Sequence, residues 1–540
     1  MAKLQTSNEH LYRKRSFQSA RTLVLGFSLT LGLTACNTLP PQYPQPIVHA
    51  NDIDTSHTHL AELIRPLEEA NPNLTGYHVL YDPLEAISAR LSLINKAQKS
   101  LDLQYYIWDN DNIGALALHN IIQAADRGVK VRLLIDDNNA KKMEGIFLAL
   151  DQHQNIQVKL YNPYRFRNFR AMDMLLDLKR INRRMHNKSF IVDGHVALIG
   201  GRNMSNQYYN ASDNYQFSDI DVLLVGSAVH DISQSFDDYW NDAYAYPVRQ
   251  IVNPQKHQLR YESLKQQLDA HYQKITVQNY LNLANHSRDF DQWLNKSIEF
   301  DWVKAVVVKD SPNKIRNQAK PEEYLTTQLA HDIDPPAHNI DIISAYFVPE
   351  KQGTAVLSDM AKKGIEVRVL TNSFKANDVW LVHAFYSKYR PELLKNGVKL
   401  YEFLPVLDSI ALNPVTKEIA KKTKLSLRGL SRSSLHAKMM TIDDKQVFIG
   451  SFNLDPRSAK LNTEIGVLLN STSLATAIHT TMNHDIDKYS YQLQLTPEQK
   501  IQWLRETPQF QQIYQQEPRM KWWQKAGLQF VSWLPIEGMM

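Results

Sequence analysis

Hydrophobic and polar positions along this chain run through the same order twice. In the first round, residues 100–108 (SLDLQYYIW) read as a strand. A helical segment follows, then strands at 128–135 (GVKVRLLI) and 156–161 (IQVKLY). In the second round, residues 340–348 (IDIISAYFV) read as a strand, again followed by a helical segment. GIEVRVL at 364–370 and VKLY at 398–401 complete it. Matched pieces lie about 240 residues apart, so the repeat covers most of the body. Strands alternating with helices predict βα units and a largely parallel sheet in each half. The stretch 251–300, rich in Gln, Asn, His and Tyr, reads as the connection between halves.

The repeat also carries chemistry. A His-x-Lys-x4-Asp pattern occurs at His186, Lys188 and Asp193, and again 250 residues on at His436, Lys438 and Asp443. Each copy is followed by a small pair and an Asn: Gly200, Gly201 and Asn203, then Gly450, Ser451 and Asn453. The next strands, SDIDVLL at 218–224 and TEIGVLL at 463–469, place acids at matching positions, Asp219 and Glu464. Alternate side chains of a strand share a face, so His186 and Lys188 point together, as do His436 and Lys438. Asp193 and Asp443 fall at the strand ends, beside turn residues. One such pattern is weak evidence. Two with the same spacing point to a duplicated unit whose halves build a single site.

These groups suit phosphodiester cleavage. Lys188, Lys438, Asn203 and Asn453, with Ser451, can hold and neutralise the oxygens of a phosphate. One His can attack phosphorus, splitting the reaction into two easier steps. The other can protonate the leaving alcohol and then deprotonate the incoming one. Asp219 and Glu464 are supporting acids. The scheme needs no cofactor and no metal, and the chain contains no H-E-x-x-H and no Cys pair.

The paired motifs resemble the signature of the phospholipase D superfamily. Within it, GSFNLDPRSAKLNTE at 450–464 and SWLPIE at 532–537 resemble bacterial cardiolipin synthases of the C type, and the likeness runs from about residue 76 to the end. The resemblance implies an α/β fold of two tandem phospholipase D-like domains. Each would be a largely parallel or mixed sheet flanked by helices, and the two would pack with pseudo-twofold symmetry. The expected division is 1–35 signal peptide, 36–75 lipidated N-terminus and tether, 76–250 first domain, 251–300 connection, 301–490 second domain, and 491–540 a helical tail at a membrane interface. The resemblance also implies a phosphatidyl-histidine intermediate. The glycerol of phosphatidylglycerol would attack it to give cardiolipin, with phosphatidylethanolamine a candidate second lipid, whereas water would give phosphatidic acid. By the same resemblance Asp193 and Asp443 orient or tune a His across the interface. His186 is the expected nucleophile and His436 the expected acid and base. Three alternatives stay open: a hydrolytic phospholipase D, a nucleic-acid phosphodiesterase, and a lipid-binding scaffold with a dead site.

The ends of the chain change the picture further. Arg13, Lys14, Arg15 and Arg21 precede an apolar run at 22–33 that closes on Leu33-Thr34-Ala35-Cys36. This order reads as a secretion signal. Its last four residues resemble a bacterial lipobox, in which the thiol of Cys36 is acylated. With Asn37 after it, that resemblance implies a bacterial envelope protein, on the outer membrane facing the periplasm in a Gram-negative source. Cys36 is the only cysteine, so no disulfide within the chain is available. The five Lys and Arg of residues 1–35, against one Glu, account for four of the chain's five net positive charges. A chain beginning at Cys36 is therefore nearly neutral, which argues against nucleic acid. Two basic clusters precede the motifs, Arg165 to Arg184 and Lys417 to Arg432, and suit either anionic head groups or plain solvation. At the tail, Trp522, Trp523 and Trp533 mix with Lys521 and Lys525. This composition favours a membrane–water boundary over a span. Protein partners are unknown.

Overall fold

The computed structural model describes residues 39–212, 216–287, 299–404, 433–507 and 510–539. The signal peptide, Cys36 and the basic cluster at 417–432 lie outside them. By contacts, 46–163 and 182–539 form one compact unit; 39–45 and 164–181 form another. In the smaller unit, the buried carboxylate of Asp173 accepts the backbone N–H of Phe166 at 2.8 Å, and Phe169 and Leu175 are exposed.

The larger unit is built on two big sheets. The first half supplies β1 (Thr75–Leu80), β2 (Ser100–Tyr105), β3 (Lys130–Asp136), β4 (Ile156–Tyr161), β5 (Ser189–Val192), β6 (Val196–Gly200), β7 (Gln216–Ser218), β8 (Asp221–Gly226), β9 (Ala245–Pro247) and β10 (Asp301–Val303). The second supplies β11 (Ala305–Lys309), β12 (Asn339–Ser344), β13 (Glu366–Asn372), β14 (Lys399–Phe403), β15 (Ser433–Leu435), β16 (Lys438–Ile442), β17 (Gln446–Gly450), β18 (Ile465–Leu469), β19 (Ser490–Leu495), β20 (Ile501–Thr507) and β21 (Phe510–Tyr514). The sheet orders are β10-β1-β8-β6-β5-β2-β3-β4-β9 and β11-β18-β17-β16-β12-β13-β14-β19-β20-β21. From β8 to β9 the first order matches the second from β18 to β19, strand for strand. The sequence repeat is therefore a structural repeat. A cross-strand ion pair repeats with it: Arg132 on Asp102 and Arg368 on Asp341, each a two-pronged contact buried between neighbouring strands.

Both sheets are mixed, and their parallel part is smaller than the strand–helix alternation predicts. Only β2-β3-β4 and β12-β13-β14 run parallel. The remaining pairs within the two sheets are antiparallel. The motif strands explain this. β5 and β6 are joined by a tight turn at Asp193 and Gly194, and β16 and β17 by one at Asp443 and Asp444, all with positive φ. So short a turn can only return the chain antiparallel.

The two halves share a core. Ile191, Ala197, Ile199 and Val222 of the first pack in one cluster with Met439, Val447, Ile449 and Val467 of the second. Each buried Val, Ile or Met among them contributes roughly 1.5–3 kcal/mol. The connecting stretch is more than a linker. Its helices Tyr261–Tyr272 and Ile275–Ser287 place Leu264, Leu268, Tyr280 and Leu283 in the first half's core. The tail is not wholly helical either. β19, β20 and β21 all fall within it, and among its described residues only Trp522–Ser532 is the expected α-helix. The alternation in SYQLQL is the period of two that marks a strand. Among the described residues no helix is long and apolar enough to cross a membrane.

Candidate active site

Two short pairings between the halves set the site. In one, β15 lies parallel to β7, with Leu435 opposite Ser218. In the other, Met185 bridges to Thr463. Each bridging residue immediately precedes a motif His or a supporting acid. The imidazole of one half is thereby carried to the acid of the other. His186 Nδ1 lies 2.8 Å from Glu464 Oε2, and His436 Nδ1 lies 2.6 Å from Asp219 Oδ2. The backbone N–H groups of the two His residues donate across as well, to Thr463 at 2.9 Å and Ser218 at 2.7 Å. Two residues absent from the sequence expectations pin these approaches. Asp136, at the end of β3, accepts the N–H of Met185 at 2.9 Å, and Asn372, at the end of β13, accepts that of Leu435 at 2.9 Å. Their equivalence is readable in RLLID and RVLTN once the repeat is aligned.

Both imidazoles face one cavity of about 410 Å³, which Asn203 and Asn453 also line. Asn203 is held on both sides. It accepts from the N–H of Ile107 at 3.0 Å and donates to the Tyr208 hydroxyl at 2.9 Å. Lys188 and Lys438 are buried just behind the rings. The Lys188 ammonium donates to the His186 carbonyl at 2.6 Å, and Lys438 donates to the His436 carbonyl. Lys438 also stands 2.7 Å from His436 Nδ1. That nitrogen cannot donate to Asp219 and accept from Lys438 at once. We assign its proton to the Asp219 bond, which mirrors the His186–Glu464 pair, and treat Lys438 as a neighbouring charge.

Three expected site residues play other parts. Asp193 orients no imidazole. Its carboxylate accepts the backbone N–H groups of Gln98, Lys99 and Ser100 at 2.8–3.0 Å. Asp443 does the same for Ala337, His338 and Asn339 at 2.7–3.0 Å. The αL conformation at the strand end turns each carboxylate back over the loop entering β2 or β12, away from the cavity. Ser451 is buried and donates to Glu464 instead of facing a phosphate. Its counterpart is Gly201, where a Cβ would lie 2.1 Å from Asp219 Oδ1. Asp is one methylene shorter than Glu, so its carboxylate occupies the space the Ser side chain takes in the other half. In the basic cluster, Arg183 and Arg184 are also structural. Arg183 reaches Lys314 and Lys460 carbonyls, and Arg184 reaches the Asn162 carbonyl.

Burial dominates the electrostatics. It pushes Glu464 up to about 7, against the pull of Lys188 and the Ser451 hydrogen bond. Burial would raise Asp219 too, but the charges of His436 and Lys438 and the His436 hydrogen bond outweigh it, and Asp219 falls below its ordinary value. Burial, then Lys188 and Lys438, hold His186 well below the usual imidazole range. Burial and Lys438 bring His436 down to about 4. Lys188 is brought by burial to about 7, although Glu464 opposes the change. An anionic phosphodiester favours the charged forms of both Lys residues. The arrangement thus offers two oriented imidazoles, two amides and two Lys side chains whose charged forms an anion would favour.

Comparison with known proteins places this geometry. The family model described as "Cardiolipin synthase, PLD-like domain" matches residues 91–240 and 329–486, one match in each half. Cardiolipin synthase C of Escherichia coli (strain K12) is 37% identical over 478 residues, spanning 88% of this chain and 99% of that protein. The major cardiolipin synthase of Bacillus subtilis (strain 168) is 24% identical, spanning 79% of this chain and 72% of its own length. Among solved structures, a phosphatidylserine synthase from Haemophilus influenzae Rd KW20 superposes with a TM-score of 0.51. It does so at 13% identity, covering 87% of this chain and 96% of that one, a likeness of fold.

Proposed function

The chain belongs to the family of cardiolipin synthases built from phospholipase D-like domains, and on that premise we propose that it makes cardiolipin from phosphatidylglycerol and a second phospholipid through a phosphohistidine intermediate. It is a phospholipase D-type phosphatidyltransferase, and its substrates are membrane phospholipids. One observation carries the finer reading: two imidazoles, each oriented by an acid of the opposite half, face a single cavity. One imidazole attacks phosphorus and the other hands a proton to the departing alcohol. The Lys and Asn side chains stabilise charge on the phosphate oxygens. The glycerol hydroxyl of phosphatidylglycerol then gives its proton to the second imidazole and takes the phosphatidyl group. Phosphatidylethanolamine is the candidate second lipid.

The test is product identity. Purified protein incubated with labelled phosphatidylglycerol vesicles, with and without phosphatidylethanolamine, is expected to yield labelled cardiolipin. Phosphatidic acid as the sole product would replace transfer with hydrolysis.

For location, we propose that Cys36 is acylated and that the protein is anchored in a bacterial envelope, on the outer membrane facing the periplasm in a Gram-negative source. The lipobox-like Leu33-Thr34-Ala35-Cys36 supports this reading. Cys36→Ser is expected to leave the leader uncut and the protein unanchored. A mature protein with an unmodified thiol by mass spectrometry would refute it.

A further inference from the structure

The smaller unit keeps a run of large apolar side chains in water. Phe169, Met174, Leu175, Leu176 and Leu178 are all exposed within ten residues, Phe169 by 63% and Leu175 by 79%. Single exposed apolar residues are ordinary, but five in one short segment mark a contact surface.

The segment is held in shape from within. The Asp173 carboxylate is fully buried and accepts the backbone N–H groups of Arg165 at 3.3 Å and Phe166 at 2.8 Å. It also lies 3.7 Å from Arg180, whose Nε donates to Asp177 at 2.6 Å. The short helices Ala171–Leu176 and Leu178–Ile181 flank Asp177. Tyr164 and Ile181, at the two ends, are buried. A scaffold built on a buried carboxylate thus turns apolar side chains outward, where folding gains nothing from them.

Charge narrows the partner. Residues 164–181 hold Arg165, Arg167, Arg170, Lys179 and Arg180, five cations against Asp173 and Asp177, for a net charge of +3. Both acids are engaged inside the unit, whereas Lys179 is exposed. Apolar side chains set among Lys and Arg suit the boundary of an anionic bilayer, where the former enter the acyl region and the latter stay at the phosphates. The substrates are membrane phospholipids, and phosphatidylglycerol, the proposed donor, is anionic.

The tether points the same way. Residues 39–45 belong to one unit with 164–181. Leu39 is three residues from Cys36, at most about 11 Å of extended chain. Acyl chains on Cys36 would start within that distance of the unit and hold it at a bilayer at high effective concentration.

We infer that residues 169–178 form a membrane-docking face, whose Phe, Met and Leu side chains enter an anionic phospholipid surface while the flanking Arg and Lys residues meet its phosphates. The tether argument rests on acylation of Cys36; the face itself does not.

Wild-type protein tests this directly. It is bound to phosphatidylglycerol vesicles containing phosphatidylcholine with a diazirine on its acyl chain, irradiated and digested. Peptide mass spectrometry is expected to find lipid adducts on 169–178 at least tenfold more often than at Val356, an exposed apolar residue of the helix Glu350–Lys362. Equal labelling at the two, or none on 169–178, would overturn the face. The same digest reads Cys36, so adducts beside an unmodified thiol would keep the face and refute the anchor. With phosphatidylcholine in place of phosphatidylglycerol, the adducts are expected to fall at least threefold. An unchanged yield would overturn the role given to the basic residues. Leu175→Ser, Leu176→Ser and Leu178→Ser together should leave the protein mass in detergent, by light scattering, equal to that of wild type. Half the wild-type mass would assign the face to a second copy of the chain and overturn the lipid reading. A wild type that carries the adducts but makes no cardiolipin would sink the transfer reading and leave the face standing.

Discussion

At the scale of single residues, the four acids of the site divide into two kinds of work. Asp193 and Asp443 each gather three backbone N–H groups at a loop between elements, so they bear on folding. Hydrogen bonds to a charged group are worth about 1.5–3 kcal/mol each, and removing the carboxylate orphans several donors at once. Asp193→Ala is therefore expected to lower unfolding stability by about 2–4 kcal/mol. Folded protein below its melting temperature should keep most of its turnover. A full loss of turnover with unchanged stability would restore a chemical role to Asp193. Glu464 is expected to show in the pH profile. Its carboxyl is raised to about 7, so it is protonated below that pH and ionised above it. The proton shared with His186 is lost as pH rises through about 7, and turnover should fall on that side. In Glu464→Gln that limb should vanish while overall turnover drops. An alkaline limb that stays near 7 in the variant would assign it elsewhere, with Lys188, also near 7, the next candidate. The His, Lys and Asn positions were legible from spacing alone. The orienting acids were legible as matched positions, but not as the partners of particular imidazoles. Which strand of one half lies beside the motif of the other is a tertiary fact that spacing within a half does not contain.

At the scale of elements, the βα pattern located the central strands, because β2, β3, β12 and β13 are short apolar runs set off by helices. It overstated parallel pairing, since a run such as SFIV reads the same whichever way its neighbour points. The tail shows a similar limit. The amphipathic strands β19 to β21 were masked by their Gln content, but the terminal helix was marked by its Trp residues. That helix has two faces. Leu528 and Ser532 are buried on the side that packs against the helix Trp380–Lys395, whereas Trp522, Phe530 and Trp533 follow helical spacing on the opposite side and are 83%, 62% and 75% exposed. The segment is clamped on both flanks, by Glu517 on Arg390 and Glu537 on Lys388. The clamped helix Trp380–Lys395 contributes Val382 to the cavity wall. We propose that the aromatic face rests on the lipid surface from which substrates are drawn. Replacing Trp522, Phe530 and Trp533 together with Ser is expected to weaken sedimentation with phosphatidylglycerol vesicles at least tenfold. The melting temperature should barely change, because these rings bury little. Undiminished vesicle binding would rule the face out as a membrane contact.

At the scale of the whole molecule, neither half is complete. Each brings a His, a Lys and an Asn, but the acid that orients its His belongs to the other half. The duplication thus works as one unit, and the shared core of Ile199, Val222, Val447 and Val467 fixes the crossing contacts. The most direct measurement compares His186→Ala and His436→Ala, each folded by circular dichroism, for turnover of labelled phosphatidylglycerol vesicles. A single composite site requires both imidazoles, so each variant is expected to lose at least about a thousandfold in turnover. If either variant kept about half the wild-type rate, the halves would be two independent sites, and a composite site would be refuted.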